Sequence, residues 1–432
     1  MNGFFVVNGN KSNFIGKVVW PLVMLSLAFS LVVPNGHSLA AVIILILSPV
    51  LLHKKYRGQL TVSRNDKLMI LAFLAYFLFS AGFIALDEWQ VRELDRPFRF
   101  LVAIPLLVML LVFQGRQSLL WWGVTIGSIL AFFVGFYERF YLGYSRASNG
   151  MVAIMFGDTA MLLGLISAVS AMYYLSQKQK NAVVFALLSA LCGIGASFLS
   201  GSRGGWIALP LIGFFIVWQS RDLISRRSII VMLSVFCLMV LALLCSNSGV
   251  MDRIHAAFHN IKSYLDGDPN TSVGLRFEMW KASFYMFMDS PLFGVGESNL
   301  KLFKAGLAAE GVISDYAVRF GHAHNEFLDF LSKRGLAGVL LLVMIYLVPL
   351  KLFLNKMHEY KGVWRVKAYA MAGALVPMCY IDFGLTQAMF SHNIGVVMYA
   401  FTLVYFWAAV RWAEKEYAEG LATESLKVNK SD

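Results

Sequence analysis

The sequence predicts an all-α protein that crosses a membrane about twelve times. Of its 432 residues 58% are hydrophobic and only 14% are charged, and the mean hydropathy is +0.66. Apolar runs of about 18–20 residues, long enough to span a bilayer as helices, recur along the whole chain. Lysine and arginine collect in alternate connections between these runs, which is the pattern of connections on opposite sides of a membrane.

The apolar runs define the predicted spans in chain order. The first is longer than the core of a signal peptide, and no convincing cleavage site precedes the second, so we expect it to be retained as a helix. The predicted spans are 14–33, 37–53, 68–86, 98–114, 119–136, 151–175, 183–199, 206–219, 229–246, 336–353, 368–386 and 394–412.

The distribution of positive charge predicts the side on which each connection lies. One set of connections, with both termini, holds 22 of the 37 Lys and Arg residues, and the opposite short connections hold 6. Cytoplasmic connections carry the excess, so both termini are predicted in the cytoplasm. The other nine lie in the loop 247–335, which translocates despite its charge because the rule weakens above about 60 residues. The net charge of +12 therefore reflects sidedness rather than a nucleic-acid partner.

This assignment divides the chain into four predicted parts. They are transmembrane helices 1–9 in 1–246, an extracytoplasmic helical loop in 247–335, transmembrane helices 10–12 in 336–412, and a cytoplasmic tail in 413–432.

The long outside loop is predicted to be folded into helices. Residues 251–265 carry apolar side chains at helical spacing, and this face is expected to lie on the membrane surface. A second helix is predicted over 276–289, where Pro291 follows its end. A third begins after Asn325 as N-cap and stops at Gly335. Three helices in a loop of this length predict a cap over a cavity between the spans.

The predicted location limits the chemistry. Outside the cytoplasm there is neither ATP nor nucleotide sugar, so a reaction there needs a substrate that arrives already activated. The sequence has no Walker A motif and no credible dinucleotide fingerprint. A transporter would favour charged residues buried along several spans and an internal repeat. Only Asp158 and Asp382 lie at depth and no repeat is evident, which favours an enzyme.

Arginines in the outside connections are candidate ligands for an anion. Arg203, in SGSRGGW, lies in a very short turn whose glycines allow close approach. Arg276 opens the second loop helix, and Arg96 and Arg99 lie in the connection 87–99. Each alone fits a solvated charge or a headgroup anchor. Two on one face beside histidines indicate an anion site, because guanidinium groups match phosphate oxygens bidentately.

The acidic residues of the connection 87–99 do not form a metal-binding pattern. Asp87, Glu88, Glu93 and Asp95 include no Asp-x-Asp pair, and the arginines between them compete for the carboxylates. We therefore predict a site without metal.

Two histidines in GHAHNEF, His322 and His324, are candidate proton acceptors, although either alone also fits a polar surface residue. His324 adjoins a predicted helix N-terminus, and an imidazole with an ordinary pKa near 6.5 accepts a proton at neutral pH. A rate that depends on it would rise through a pKa of about 6–7. His392, in the last outside turn, is a weaker candidate. Asp158, inside span six, is either functional or pairs helices.

Four sequence motifs resemble those of O-antigen ligases of the bacterial surface. His-Asn, nine residues and Gly-x-x-Gly occupy 324–338. This pattern is accompanied by SGSRGGW around Arg203, LRFEMW around Arg276, and LDRPFRFLVAIPLL at 94–107. The twelve-span plan, with a large loop between spans nine and ten, is also similar, and the resemblance covers most of the chain.

The resemblance implies a glycosyltransferase of the membrane type C fold in the bacterial inner membrane, with a periplasmic loop and active site. Such ligases transfer a glycan from undecaprenyl-pyrophosphate to the lipid A–core oligosaccharide without nucleotide, metal or other cofactor. The implied partners are this donor, this acceptor and membrane lipids. The motif implies His324 as general base and Arg203 and Arg276 as essential arginines.

Further residues of the predicted site are expected to contact substrate. They are His322, Asn325, Arg96, Arg99, Asp158 and His392.

Two alternatives within the same chemistry stay open. An O-antigen polymerase transfers the glycan to another lipid-linked repeat, and a protein O-oligosaccharyltransferase transfers it to a protein. All three share the donor and differ in acceptor. The stretch 94–107 and the moderate chain length favour the ligase.

Overall fold

The regular secondary structure described for this chain is entirely helical. A computed structural model describes residues 14–57, 60–87, 91–202, 204–207, 209–245 and 250–428. The α-helices are α1 (Phe14–Ala28), α2 (Gly36–Leu47), α3 (Lys54–Arg57), α4 (Arg64–Leu86), α5 (Asp95–Val112), α6 (Leu119–Phe136), α7 (Ala153–Ser176), α8 (Lys180–Ser200), α9 (Leu209–Gln219), α10 (Arg226–Cys245), α11 (Val250–Leu265), α12 (Gly274–Asp289), α13 (Leu300–Ala309), α14 (Glu326–Glu359), α15 (Trp364–Phe383) and α16 (Asn393–Val428).

Each of the twelve predicted spans overlaps one of these helices. The first nine correspond to α1, α2 and α4 to α10, and the last three to α14 to α16. Within the described ranges, six helices are long and apolar enough to cross a membrane by length and composition. These six are α4, α6, α7, α8, α14 and α16. The chain is therefore a helical protein with several membrane-spanning segments, and the exact number of twelve stays a prediction.

Helix α7 lies at the centre of the bundle. Nearly every residue from Met155 to Ser170 is buried, although a helix at a bundle surface would bury one face only. Its closest neighbour is α8, and a Cβ atom on Gly193 would lie only 2.6 Å from the Cα atom of Gly164. Small residues at a helix crossing allow this approach, which is the usual way that helices pack tightly within a membrane.

A buried ionic network joins three helices at the end of the bundle far from the histidines. The Asp66 carboxylate in α4 accepts a hydrogen bond from Trp407 Nε1 at 2.8 Å and lies 3.3 Å from Arg411 Nε, both in α16. Lys356 in α14 pairs with Glu414 in α16 at 2.6 Å. Because each buried charge has an opposite partner, the network orients α4, α14 and α16 relative to one another.

The long loop has one helix more than the sequence predicted. The predicted helices correspond to α11, α12 and the start of α14, whereas α13 was not foreseen. Helices α12 and α13 pack with the turn Asp315–Arg319 around a small core of their own. That core consists of Met279, Ala282, Met286, Leu300, Leu307, Ile313 and Ala317. The helix α13 is short, and its contribution to this core becomes visible only once the other segments are in place.

Two predicted borders between parts of the chain fall within continuous helices. The predicted border between loop and span at 335/336 coincides with the bend of α14 at Gly335, after which the chain continues as helix to Glu359. Residues 413–428 of the predicted tail continue α16, which runs to Val428, and where the membrane ends along both helices stays a prediction. The predicted N-cap Asn325 is confirmed, since its side chain accepts a hydrogen bond from the backbone N–H of Leu328 at 3.0 Å.

The bend at Gly335 is completed by the segment 291–296. Gly335 has φ 58° and ψ −157°, which interrupts the helical hydrogen bonds of α14. The N–H groups of residues 336 and 337 donate instead to the carbonyls of 291 and 292. In the other direction, the N–H groups of 295 and 296 donate to the carbonyls of 332 and 333. The loop therefore pairs the backbone groups that the bend leaves open.

We expect Gly335→Ala to destabilise the protein strongly. A Cβ atom at this position would lie 2.5 Å from the carbonyl carbon of Leu292, and a positive φ costs an L-residue about 1–2 kcal/mol by itself. Gly306→Ala in α13 is the matched control, because its Cβ atom would meet nothing within 4 Å. Thermal unfolding of the purified proteins measures the difference. Equal unfolding temperatures for the two variants would contradict this account of the bend.

Candidate active site

The structure brings together three histidines from two separate segments. The ring centroids of His322 and His324 are 4.2 Å apart, and those of His322 and His392 are 5.6 Å apart. Gln387 forms a hydrogen bond with His324 and lies 3.4 Å from Nε2 of His392. His392, the weakest candidate in the sequence, therefore belongs to the same cluster as the motif histidines.

Two buried lysines hold the start of the segment that carries the motif histidines. Lys304 in α13 donates a hydrogen bond to the carbonyl of Phe320, and Lys333 in α14 donates to the carbonyl of Gly321 at 2.8 Å. Lys333 is also paired with Asp329 at 3.1 Å. Burial, with the nearby charge of Lys333, lowers the pKa of Lys304 to about 8. Both ammonium groups thus hold the backbone of Phe320 and Gly321 in place.

Ala323, the residue between the two motif histidines, is held on both sides. Its carbonyl accepts a hydrogen bond from Trp280 Nε1 at 3.0 Å, and its N–H donates to Oδ1 of Asp329 at 3.0 Å. His324 itself has a left-handed backbone with φ 48°, which an L-residue adopts only at a cost. Contacts from α12 and α14 therefore hold the imidazoles in one place.

The side chain of Asn325 is engaged at the start of α14. In addition to capping the helix, its Nδ2 donates to the carbonyl of Leu385 at 3.1 Å, just before the turn that carries His392. The contacts seen for Asn325 thus join the two histidine-bearing segments, and its predicted contact with substrate stays a prediction.

The histidines do not have the ordinary pKa that the sequence analysis assumed. Burial lowers the pKa of His324 to about 3, and the neighbouring His322 ring and the charge of Arg276 add to the effect. Burial, with the charge of Lys333, lowers the pKa of His322 to about 3. Burial also lowers the pKa of His392, and Arg96 adds to the effect. All three rings are therefore neutral at physiological pH.

Two of the four predicted arginines act on this cluster. Arg276 at the start of α12 is close enough for its charge to influence His324. Arg96, in the first turn of α5, influences both His322 and His392. Arg99 is instead occupied by an ion pair with Asp95 at 2.8 Å. Predicted site residues from the first three of the four predicted parts of the chain thus meet at one end of the bundle.

Arg203 lies outside the described residues, but its neighbours are held by Asp158. The hydroxyl of Ser202 donates to Oδ1 of Asp158 at 2.6 Å, and the backbone of Gly205 also forms a hydrogen bond with this carboxylate. Asp158 is fully buried and lies within electrostatic range of Asp382. Its described contacts are with the turn around position 203 rather than with the histidines, which favours a structural role for Asp158.

A cavity of about 300 Å³ adjoins the histidine cluster. It lies between the connection that precedes α5, the first turns of α14, and the segment 390–393 around His392. Glu326, Lys333 and Arg334 line it and were missed by the sequence analysis. Lys333 and Arg334 follow Glu326 by seven and eight residues, which places all three on one face of α14. This helical spacing within the nine residues between His-Asn and Gly-x-x-Gly could have predicted that they lie together.

Comparison with known proteins finds similarity to O-antigen ligases and to a related transferase. Residues 188–343 match the family model described as O-antigen ligase. The chain is 28% identical over 387 residues to an uncharacterized protein of Haemophilus influenzae, covering 89% of this chain and 96% of that protein. It is 25% identical over 193 residues to the O-antigen ligase of Escherichia coli, covering 44% of each. It is 26% identical over 222 residues to the ComP-specific O-oligosaccharyltransferase of Acinetobacter baylyi, covering 50% of this chain and 38% of that protein.

The fold and the site define a multi-pass helical membrane protein with a partly buried histidine cluster that has arginines beside it. The matched region contains Arg203, Arg276 and the whole His-Asn motif. Residues 188–343 of the chain are therefore similar to the O-antigen ligase family, which agrees with the motifs in the sequence.

We expect Asp329→Asn to disturb the site as well as the fold. The substitution keeps the shape of the side chain but removes one of the two charges that pair with buried Lys333, and because Glu297 at 3.0 Å remains, we expect a cost of about 1–3 kcal/mol. Asp266→Asn, in an exposed turn, is the control. Thermal unfolding and glycan transfer measure the two effects. Wild-type values of both for Asp329→Asn would show that this ion pair does not hold the histidine segment.

The lowered pKa of His324 predicts a flat pH profile. A general base acts when it is unprotonated, so a pKa of about 3 leaves the free protein fully competent from about pH 5 to 8, with activity falling only at lower pH. We expect kcat/KM, which reports the free protein, to show no rise through pH 6–7. A rise of slope one in that range would mean that the base has an ordinary imidazole environment.

Proposed function

We propose that this protein is an O-antigen ligase of the bacterial inner membrane. It transfers a glycan from undecaprenyl-pyrophosphate to the lipid A–core oligosaccharide at the periplasmic face, and both of its termini are cytoplasmic. One observation carries the proposal. Three neutral histidines and two arginines meet at one end of the helical bundle, and residues 188–343, which contain Arg276, His322 and His324, match the O-antigen ligase family model.

Arg276 and Arg203 bind the pyrophosphate of the donor. Two guanidinium groups stabilise the negative charge that develops on the leaving pyrophosphate, which is the role of a divalent cation in other transferases. Arg276 acts electrostatically on His324 in the free protein, so a pyrophosphate bound by Arg276 would lie close to the imidazole. The reaction accordingly needs no metal or other cofactor.

His324 is the general base. The acceptor hydroxyl oxygen forms a bond to the anomeric carbon while the bond from that carbon to the phosphate oxygen breaks with inversion. The hydroxyl proton passes to the neutral imidazole, and the electron pair leaves with the pyrophosphate. The bound pyrophosphate offsets the positive charge of Arg276, which raises the pKa of His324. Donor binding therefore makes a weak base stronger when the acceptor reacts.

The alternatives differ in the acceptor only. Similarity to a ComP-specific O-oligosaccharyltransferase supports a protein acceptor as the second candidate. A polymerase would use a second lipid-linked repeat. A transporter of polysaccharide or lipid is a different class, and the match of residues 188–343 to the O-antigen ligase family model favours a transferase over it.

A deletion strain tests these functions directly. Lipopolysaccharide is analysed on gels with the lipid-linked glycan pool and glycosylated proteins. Loss of all long-chain bands with accumulation of lipid-linked glycan identifies a ligase. Core with a single repeat identifies a polymerase, and loss of a glycosylated protein alone identifies an oligosaccharyltransferase. An unchanged pattern in all three would reject glycan transfer.

Variants returned to the deletion strain test the assigned roles. We expect His324→Ala and Arg276→Lys to restore less than about 1% of wild-type transfer, since a missing base or fork typically costs about 10²–10³-fold. His322→Ala is expected to keep a measurable fraction. His259→Ala and Arg319→Lys, both exposed, are the matched controls. Full activity of His324→Ala would move the base to another residue.

A further inference from the structure

We propose that the loop segment 291–293 inserts into the membrane, where it contacts lipid acyl chains in the leaflet on its own side. The surface is formed by Pro291, Leu292 and Phe293, which the sequence analysis placed in the extracytoplasmic loop with the rest of 247–335. The inference needs only a protein that crosses the membrane, so it is independent of the glycan, the acceptor and the proposed reaction.

The segment 291–293 is apolar, exposed and held by backbone hydrogen bonds. Leu292 is 62% exposed and Phe293 is 59% exposed, whereas the apolar residues of the loop core around Met279 and Leu307 are buried. The carbonyls of residues 291 and 292 accept the hydrogen bonds from 336 and 337 that complete the bend of α14. The two side chains are therefore exposed on a backbone that the bend fixes in place.

The exposed apolar face of α14 begins beside this segment. Helix α14 is one of the helices that are long and apolar enough to cross a membrane. Leu336, Leu340, Leu347 and Leu354 are exposed, and their spacing of four and seven residues places them on one face of the helix. An exposed apolar face on a membrane-spanning helix contacts lipid. The N–H of Leu336 donates to the carbonyl of Pro291 at 2.9 Å, so the segment adjoins the first turn of this lipid-facing surface.

The end of α4 adjoins the same segment. Phe293 and Leu86, the last residue of α4, line one small cavity, and α4 is also long and apolar enough to cross a membrane. Leu86 is exposed, and Asp87, which follows it, accepts a hydrogen bond from the N–H of Ser298 at 3.0 Å. The segment 291–293 thus lies beside the ends of two membrane-spanning helices, where the apolar surface of one ends and that of the other begins.

The distribution of charge agrees with acyl chains as the neighbour of this segment. Residues 290–296 carry no ionisable side chain, and Asp289 and Glu297 border them in the chain. An exposed apolar surface with a polar rim marks a contact with protein or with membrane. Because the segment continues the lipid-facing surface of α14 and adjoins the end of α4, the arrangement favours lipid. A second copy of the chain is the alternative that the test separates.

Insertion of this segment fixes the depth of the motif histidines relative to the membrane. Glu297, which follows Phe293 closely in the chain, pairs with Lys333 at 3.0 Å, and Lys333 donates to the carbonyl of Gly321 at 2.8 Å. His322 is the next residue. A lipid contact at 291–293 is therefore linked to the histidine segment by a short path of paired groups, which holds that segment at one height above the acyl chains.

Photo-crosslinking of the full-length protein in phospholipid nanodiscs tests the proposal. The photoreactive amino acid p-benzoylphenylalanine replaces Leu292 or Phe293, and it replaces Leu302 or Tyr316 of the same loop in the matched controls. Leu302 is 74% exposed and Tyr316 is 49% exposed, so the controls differ in position rather than in exposure. After irradiation we expect a mass shift of one phospholipid at 292 and 293 and none at 302 and 316, because benzophenone bonds to the C–H groups within its reach.

Photoactivatable lipid provides a second measurement on the unaltered chain. A phospholipid with a diazirine on its acyl chain is added to the nanodiscs, and trypsin separates residues 282–301 from residues 305–319. We expect label at 291–293 in the first peptide and none in the second. Residues 335–351 of α14 are the positive control. A variant that fails to fold therefore cannot decide the result.

Lipid attached at 292 and 293 but not at the two control positions supports the proposal. Equal attachment at all four positions, or at none of them, overturns it, as does label on 335–351 without label on 291–293. A crosslinked pair of chains at 292 or 293 in place of lipid also overturns it, in favour of an interface between two copies. These outcomes do not depend on glycan transfer, so the proposed function is tested separately.

Discussion

The bend of α14 at Gly335 is the constraint on which the rest of the site depends. The left-handed conformation at this residue opens the helical hydrogen bonds, and the segment 291–296 closes them. The same junction brings Glu297 within 3.0 Å of Lys333, which in turn pairs with Asp329. One break in a helix therefore joins the segment 291–297 to the first turns of α14, next to the histidine segment.

The ion pair between Lys333 and Asp329 transmits this constraint to the imidazoles. Each partner makes a second contact with the histidine segment, Lys333 with the carbonyl of Gly321 and Asp329 with the N–H of Ala323. Replacing the pair by apolar residues would leave those backbone groups without partners in a buried environment. The pair thus fixes the position of the histidine segment. This role explains two buried charges better than a gain in stability does, because burying an ion pair stabilises a protein little.

Burial and positive charge give the histidines a property that an isolated motif lacks. A neutral, desolvated imidazole is always ready to accept a proton, but it is a weak base until its surroundings change. The charge of Arg276 depresses the pKa of His324 in the free protein, and an anion beside that arginine would relieve the effect. In the proposed reaction, binding of the donor pyrophosphate at Arg276 would raise the proton affinity of His324 by electrostatics, without any movement of the backbone.

Local sequence patterns determined the helices and their caps, because apolar periodicity, an N-capping asparagine and a glycine stop act over a few residues. The twelve predicted spans each overlap a helix, and Asn325 and Gly335 occupy the expected places. Only the tertiary structure decided that His392 joins His322 and His324, that Arg99 is occupied by Asp95, and that Glu326 and Arg334 border a cavity. The tertiary structure also decided the pKa values of the histidines, because desolvation depends on residues that are distant in the chain.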